Sequence, residues 1–172
     1  IGRQPRGYPA MPDGGYAAVP RNSTILGAAK LTGRVRNFSV GVLTAATDTE
    51  EAVAVSGATR WSEVVEPRTF YAVSRARREF SDQSSLGFIL TTTNRSLVDS
   101  VSFLPESALT GGVDYNWRMG KRWGLNGYWA GSDVSGSVAA IDALQRNNVH
   151  SFQRPDADHV ERARRRSPRH AA

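Results

Sequence analysis

The sequence contains no cysteine, which excludes a disulfide framework and any thiolate metal site. Histidine is almost as scarce, with 3 in the chain, so a metal centre built from several imidazoles is not expected. No apolar run reaches the roughly 18 residues that a membrane helix needs. The G-x-S-x-G elbow and the phosphate-binding glycine loop are also missing. We therefore expect no cofactor and no metal, and no residue stands out as catalytic.

Positive charge is concentrated at one end of the chain. The formal net charge is +6, and residues 161–172 (ERARRRSPRHAA) supply +4 of it through five Arg and one Glu. A short Arg-rich terminal run is usually a solvated, disordered tail. This distribution predicts a tail over 161–172 and no nucleic-acid partner.

Residues 110–132 (TGGVDYNWRMGKRWGLNGYWAGS) show the strongest pattern in the sequence. Written as two strands around a turn at 119–122, they place apolar and aromatic side chains on one face and charged and amide side chains on the other. Two further hairpins are predicted, one over residues 25–44 with a turn at Arg36-Asn37 and one over 69–92. The turns within hairpins are short, whereas the connections at 47–67, at 94–109 and after Ser132 are predicted to be long polar loops.

These observations predict an all-β fold, an antiparallel up-and-down meander of about six strands. Short turns on one side, long loops on the other, strands of about ten residues and aromatic girdles are typical of bacterial outer-membrane barrels. We therefore expect part of a transmembrane β-barrel over residues 23–160, after a Gly/Pro-rich entry segment at 1–22. A soluble β-sandwich, in which a second sheet covers the apolar face, is the alternative.

The barrel interpretation assigns the side chains of the strands to two environments. Aromatic residues of the apolar faces are predicted to meet lipid: Phe38, Phe88, Tyr115, Trp117, Trp123 and Trp129. Polar residues of the opposite faces are predicted to line a lumen: Lys30, Arg34, Arg36, Arg75, Arg77, Asp114, Asn116, Arg118 and Asn126. Such a lumen either pairs its charges across the interior or favours anionic ligands by electrostatic focusing.

One acidic cluster in a predicted loop, Asp156, Asp158 and His159, follows Pro155. Carboxylates and an imidazole at this spacing could bind a divalent ion, but a polar loop explains them as well.

Several blocks of the sequence resemble a known family. "STILGAAKLTGR" (23–34), "FSVGVLTAAT" (38–47), "VEPRTFYAVSRARREF" (65–80), "LGFILTTTNR" (86–95), "LTGGVDYNWR" (109–118) and "FQRPDADH" (152–159) resemble, in this order, a bacterial family of large outer-membrane proteins. In that family a carbohydrate-binding-like module of the family-nine type precedes a C-terminal β-barrel domain of unassigned function. This chain has nothing similar to the module. After His159 the resemblance implies another strand, which "VERARRRSPRHAA" does not provide, so we expect a fragment of a larger barrel.

The expected function is that of a segment of an outer-membrane β-barrel protein that serves the binding or passage of a glycan or peptide. Its partners would be membrane lipid and the remainder of the barrel or other copies of the chain. The alternatives are a glycan-acting hydrolase and a periplasmic or extracellular carbohydrate-binding β-domain.

Overall fold

The protein is described by a computed structural model over residues 2–12, 14–80, 83–120 and 122–146. This part of the chain is all-β apart from one short α-helix and one turn of 3-10 helix. The strands are β1 (Tyr16–Ala18), β2 (Ile25–Val35), β3 (Phe38–Thr47), β4 (Glu50–Ser56), β5 (Thr59–Glu66), β6 (Thr69–Glu79), β7 (Ser85–Arg95), β8 (Pro105–Met119) and β9 (Trp123–Gly136).

Six strands form a large antiparallel sheet in the order β2-β3-β6-β7-β8-β9. The three predicted hairpins are its β2–β3, β6–β7 and β8–β9 pairs, and Val35 faces Phe38 across the two-residue turn as predicted. The all-β, antiparallel, up-and-down prediction is confirmed. Within the described residues, β2 and β9 each pair with one neighbour and form the two edges of this sheet.

A second, three-stranded sheet has the order β1-β4-β5; its strands β4 and β5 lie between β3 and β6 in the chain, whereas β1 precedes β2. The prediction that residues 47–67 form a loop is therefore wrong, because they form the β4–β5 hairpin. The entry segment 1–22 likewise contributes a strand, β1. Alternation in β4 is hidden in the sequence because its buried positions, Ala52 and Ala54, carry small side chains between glutamates and valines.

Two other predicted loops are shorter than expected. The connection at 94–109 ends at Pro105, where β8 begins, and it contains a 3-10 helix at Asp99–Val101. After Ser132 the chain continues β9 to Gly136 and then forms α1 (Val138–Gln145). The hydroxyl of Ser137 caps α1 by accepting a 3.1 Å hydrogen bond from the Ala140 amide.

The packed core lies beside the small sheet. Val65 of β5 and Val101 of the 3-10 helix have no exposed surface, and Leu104 and Ala140 are nearly as buried. The segment before β1 packs closely on β5, where the Gly7 amide donates to the Val65 carbonyl over 2.8 Å. A Cβ at Gly7 would lie 2.6 Å from that oxygen, so only glycine allows this approach. No helix in the part of the chain described is long and apolar enough to cross a membrane.

Candidate functional site

The large sheet has two faces of different chemistry, and its register defines them because paired residues of neighbouring strands share a face. One row runs Gly33, Val40, Ala76, Phe88, Val113 and Trp129 across all six strands. Rows parallel to it complete what we call the apolar face, with Leu31, Val35, Phe38, Val42, Leu86, Leu90, Leu109, Tyr115, Trp117, Met119, Trp123 and Leu125. All six predicted lipid-facing aromatic residues lie on this face.

The apolar face is exposed. Leu31 is 70% exposed, Trp123 75% and Trp129 72%. Contiguous exposed apolar surface of this kind marks an interaction with protein or membrane, because monomeric soluble proteins rarely leave it open.

Aromatic side chains gather at the end of the apolar face next to the short turns. The rings of Phe80 and Trp117 lie 5.7 Å apart, centroid to centroid. The Arg78 guanidinium lies 5.3 Å from the centre of the Phe38 ring and 5.0 Å from that of Phe80. These cation–π contacts explain how a charged side chain is accommodated on an otherwise apolar face.

The opposite face, which we call the polar face, carries eight of the nine predicted lumen-facing residues. They are Lys30, Arg34, Arg75, Arg77, Asp114, Asn116, Arg118 and Asn126. The ninth, Arg36, instead occupies the β2–β3 turn with a φ of 54°. Tyr71 and Val73 share this face with Arg75 and Arg77, which is why alternation is weak in the sequence of β6.

Two ion pairs on the polar face each bridge strands that are not neighbours. Arg75 of β6 reaches Asp114 of β8 at 2.5 Å, passing over β7 at Gly87. A Cβ at Gly87 would lie 2.5 Å from the Asp114 carboxylate and 2.6 Å from the Arg75 guanidinium, so the glycine makes room for the pair. Arg34 of β2 similarly reaches Glu79 of β6 across β3. Such pairs hold alternate strands together on the polar side of the sheet.

The polar face has more cations than carboxylates. Lys30, Arg77 and Arg118 make no ion pair within the described residues, and Arg77 donates instead to the Ser85 hydroxyl over 3.0 Å. A cavity of about 300 Å³ lies beside Arg75 and Arg77, next to Gly41. The face therefore offers a shallow cationic surface to a ligand.

A second charged cluster lies outside the large sheet, at the end of β5. The Glu66 side chain, 1% exposed, accepts a 2.6 Å hydrogen bond from the Arg3 guanidinium and a 3.0 Å bond from the Arg6 amide. Burial, reinforced by the charge of Arg3, lowers the pKa of Arg6 from its usual value, while Glu66 acts in the opposite direction. This cluster was not predicted from the sequence, because Arg3 and Glu66 are 63 positions apart in the chain.

Comparison with family models gives a match over residues 1–102 to a family described as a domain of unknown function, DUF5916. The chain belongs to this family. The matched stretch includes β1 to β7, so it covers the small sheet and four strands of the large one, including the Arg75 half of the interstrand pair. No curated protein and no solved structure matches the chain. Membership in the DUF5916 family assigns no activity to either face.

The three predicted loop residues, Asp156, Asp158 and His159, lie outside the described residues. Within the part that is described, no group of three or more His, Asp or Glu side chains is arranged to hold a metal ion.

Proposed function

We propose that this DUF5916 chain is a membrane-spanning segment of a bacterial outer-membrane β-barrel, with lipid on the apolar face and a polar interior on the other. The observation that supports this most directly is the unpartnered apolar face itself. It extends over all six strands, and the only packed core of the described residues lies elsewhere, beside the small sheet.

The height of the apolar face fits a bilayer. On β8 its side chains run from Leu109 to Met119, ten residue steps, or about 34 Å at about 3.4 Å per residue. A tilt of about 45° reduces this to about 24 Å, close to the apolar band of about 25 Å in outer-membrane barrels. The row of Leu109 already contains Thr92 and Asp133, and beyond it the same face turns polar with Ser107, Asn94 and Ser135.

The polar face suits the interior of a curved sheet. The Arg75–Asp114 and Arg34–Glu79 pairs each join strands across an intervening one, which favours curvature towards the polar side. The unpaired Lys30, Arg77 and Arg118 would attract an anionic glycan or an acidic peptide. Because β2 and β9 end the sheet within the described residues, closure would require pairing of these edges with further strands.

A quenching experiment with one tryptophan per chain tests the orientation of the sheet. One variant keeps only Trp129 of the four tryptophans. In a second variant all four are replaced by Phe, and Tyr128→Trp places a single tryptophan on the polar face at nearly the same height as Trp129. After refolding into vesicles with brominated acyl chains, we expect strong quenching of Trp129 and weak quenching at 128. A chain that keeps only Trp61, in the small sheet, is the reference for tryptophan away from the band.

Equal quenching at 128 and 129 would contradict the proposed orientation. Weak quenching of Trp129 in a chain that is folded by circular dichroism would show that protein covers the apolar face, as in the soluble sandwich.

The ligand preference is tested by binding of a charged and a neutral oligosaccharide of equal length. We expect the folded chain to prefer the anionic sugar and Arg77→Gln to reduce that preference. Arg60→Gln, which removes an exposed cation of the small sheet, is the matched control. If Arg77→Gln leaves the preference for the anionic sugar unchanged, the polar face is not the binding surface.

A further inference from the structure

A cavity of about 350 Å³ lies beside the small sheet, away from both faces of the large one. Its wall is apolar, formed by Phe103, Leu104, Ala140, Ala143 and Leu144, and among the described residues Arg6 is the one charged residue that lines it. This volume falls in the range of small-molecule sites, about 300 to 1,000 Å³. The cavity therefore joins one cation to an apolar chamber.

The charges around this cavity are unbalanced. Three guanidinium groups, those of Arg3, Arg6 and Arg95, surround one carboxylate, Glu66, so three positive charges and one negative leave +2. Both Glu66 oxygens are already engaged, one by the Arg3 side chain and the other by the Arg6 backbone amide. Among the described residues, no group of the wall or of the cluster accepts a hydrogen bond from the Arg6 guanidinium, and Arg6 is solvent-exposed.

A buried donor without a partner lies behind the wall. Arg95 donates from Nη1 to the carbonyl of Pro105, a wall residue, over 2.8 Å. Its Nε is buried and has no hydrogen-bonding partner in the described structure. Buried donors without partners are rare, and the Arg95 guanidinium adds to the net positive charge that favours an anion at the Arg6 end of the cavity.

We propose that this cavity binds a small amphiphile whose carboxylate or phosphate head pairs with Arg6 and whose apolar chain lies against Leu104, Ala140 and Leu144. The head is anionic because the one charge that the described residues place in the wall is positive and the neighbouring Glu66 is already paired. The chain is short because the chamber is small. Such a molecule is supplied either free in solution or as a lipid whose head reaches the cavity.

The test uses the full chain with methyl-labelled alanine, because Ala140 and Ala143 report from the wall itself. The chain is held in zwitterionic lipid discs, or in buffer if it folds there, so the result does not depend on the membrane proposal. The probes are hexanoate, hexyl phosphate, hexanol and hexylamine, which share one apolar chain. We expect saturable shifts of both methyl signals with the two anions and binding at least tenfold weaker for hexanol and hexylamine.

Three variants locate the binding. Arg6→Gln should weaken hexanoate binding about tenfold, to the level of hexanol, whereas Arg146→Gln should not, since Arg146 directly follows α1, lies outside the wall and pairs with Asp142. Ala143→Phe should fill the chamber and abolish binding of every probe, and its exposed position allows the ring without disrupting the core. Adding anionic phospholipid to the discs, without a probe, distinguishes a lipid ligand from a free one. If the lipid shifts the Ala140 signal and Arg6→Gln abolishes the shift, the ligand is a lipid head. If the lipid causes no shift, the ligand is a free molecule.

Equal binding of hexanol and hexanoate would overturn the proposal, because the head would then play no part. Equal weakening by Arg6→Gln and Arg146→Gln would overturn it too, since that would indicate a general effect of charge. Shifts that grow linearly without saturation would show that no site exists.

Discussion

In the small sheet, Ala52 and Ala54 have no exposed surface, whereas on the large sheet Leu31 and Trp129 are 70% and 72% exposed. The small sheet is held as soluble domains are, with Val65 and Val101 packed in a core and Glu66 buried in a hydrogen-bonded ion pair. The large sheet has complete strand pairing but almost no core of its own in the described residues. Two sheets of one chain thus have different requirements for their surroundings.

The small sheet is therefore stabilised by contacts within the described residues, whereas the large sheet needs a cover that these residues do not supply. Backbone ladders alone give little net stability in water, because each hydrogen bond replaces one made to solvent. Burial of apolar surface is the dominant favourable contribution, so the apolar face must be covered for the large sheet to be stable. A lipid phase covers such a face without requiring any packed partner side chains.

The largest expected effect comes from a charge placed on each face of β9. Trp129→Arg puts a charge on the apolar face and should cost about 2–4 kcal/mol in lipid, the usual penalty for Arg near the bilayer midplane. Tyr128→Arg is the matched control, since Tyr128 is 82% exposed on the polar face and is paired in register with Asp114. Denaturant titration of the two chains refolded in vesicles measures the difference. Equal destabilisation by the two substitutions would show that the two faces of the large sheet do not lie in different environments.

An effect of similar size is expected in the small sheet. Glu66→Gln removes one partner of a buried pair, a change that costs about 3–5 kcal/mol when both groups are buried. We expect about 3 kcal/mol, because the Arg3 side chain is 29% exposed and solvent compensates it in part. Glu51→Gln, at an exposed position of β4 in the same sheet, should stay within about 0.5 kcal/mol.

Hydrogen exchange in Glu66→Gln shows whether the two sheets unfold separately or together. If the sheets are held separately, Glu66→Gln accelerates exchange of β4 and β5 amides far more than that of β7 amides. Uniform acceleration in both sheets would mean that they unfold as one unit.

The architecture of the large sheet could be predicted from the sequence because each hairpin repeats one simple signal, alternation that ends at a short turn. In β8, one face carries Val113, Tyr115 and Trp117 and the other carries Asp114 and Asn116. This alternation allows only one register of β8 with β9. The small sheet gave no such signal. Its buried positions are alanines and valines among glutamates, and a segment of seven or eight residues with that composition resembles a polar loop.

For the candidate site, the sequence predicted on which face of the sheet each residue lies, but not which residues contact one another. Assignment of Arg75 and Asp114 to one face follows from alternation, but their pairing crosses a strand and depends on the register of three strands together. Gly87 was the available clue, because a glycine inside a strand often marks a close approach. The Glu66 cluster offered none, since Arg3 and Glu66 are separated by 63 positions.

A smaller effect separates glycines with different roles in the large sheet. Gly87→Ala should displace the Arg75–Asp114 pair and cost up to about 1 kcal/mol, the usual upper value for a pair this exposed. Gly33→Ala is the control, because a Cβ there meets nothing within 4 Å. In an Asp114→Asn background the cost of Gly87→Ala should shrink. If the cost persists in that background, Gly87 is needed by the backbone of β7 and not by the Arg75–Asp114 pair.

The smallest effect is expected where the two sheets join, at Asp48 between β3 and β4. The Thr49 amide and, secondly, the Arg68 guanidinium donate hydrogen bonds to the Asp48 carboxylate and lower its pKa. A carboxyl whose pKa is lower in the folded than in the unfolded chain stabilises the fold above the unfolded value, about 3.9. That contribution is lost as the pH falls through the lowered pKa. Asp48→Asn should therefore be less stable than the parent chain at neutral pH and equally stable in strong acid, as measured by denaturant titration across this range. A gap that remains constant with pH would show that the Asp48 charge does not help to join the two sheets.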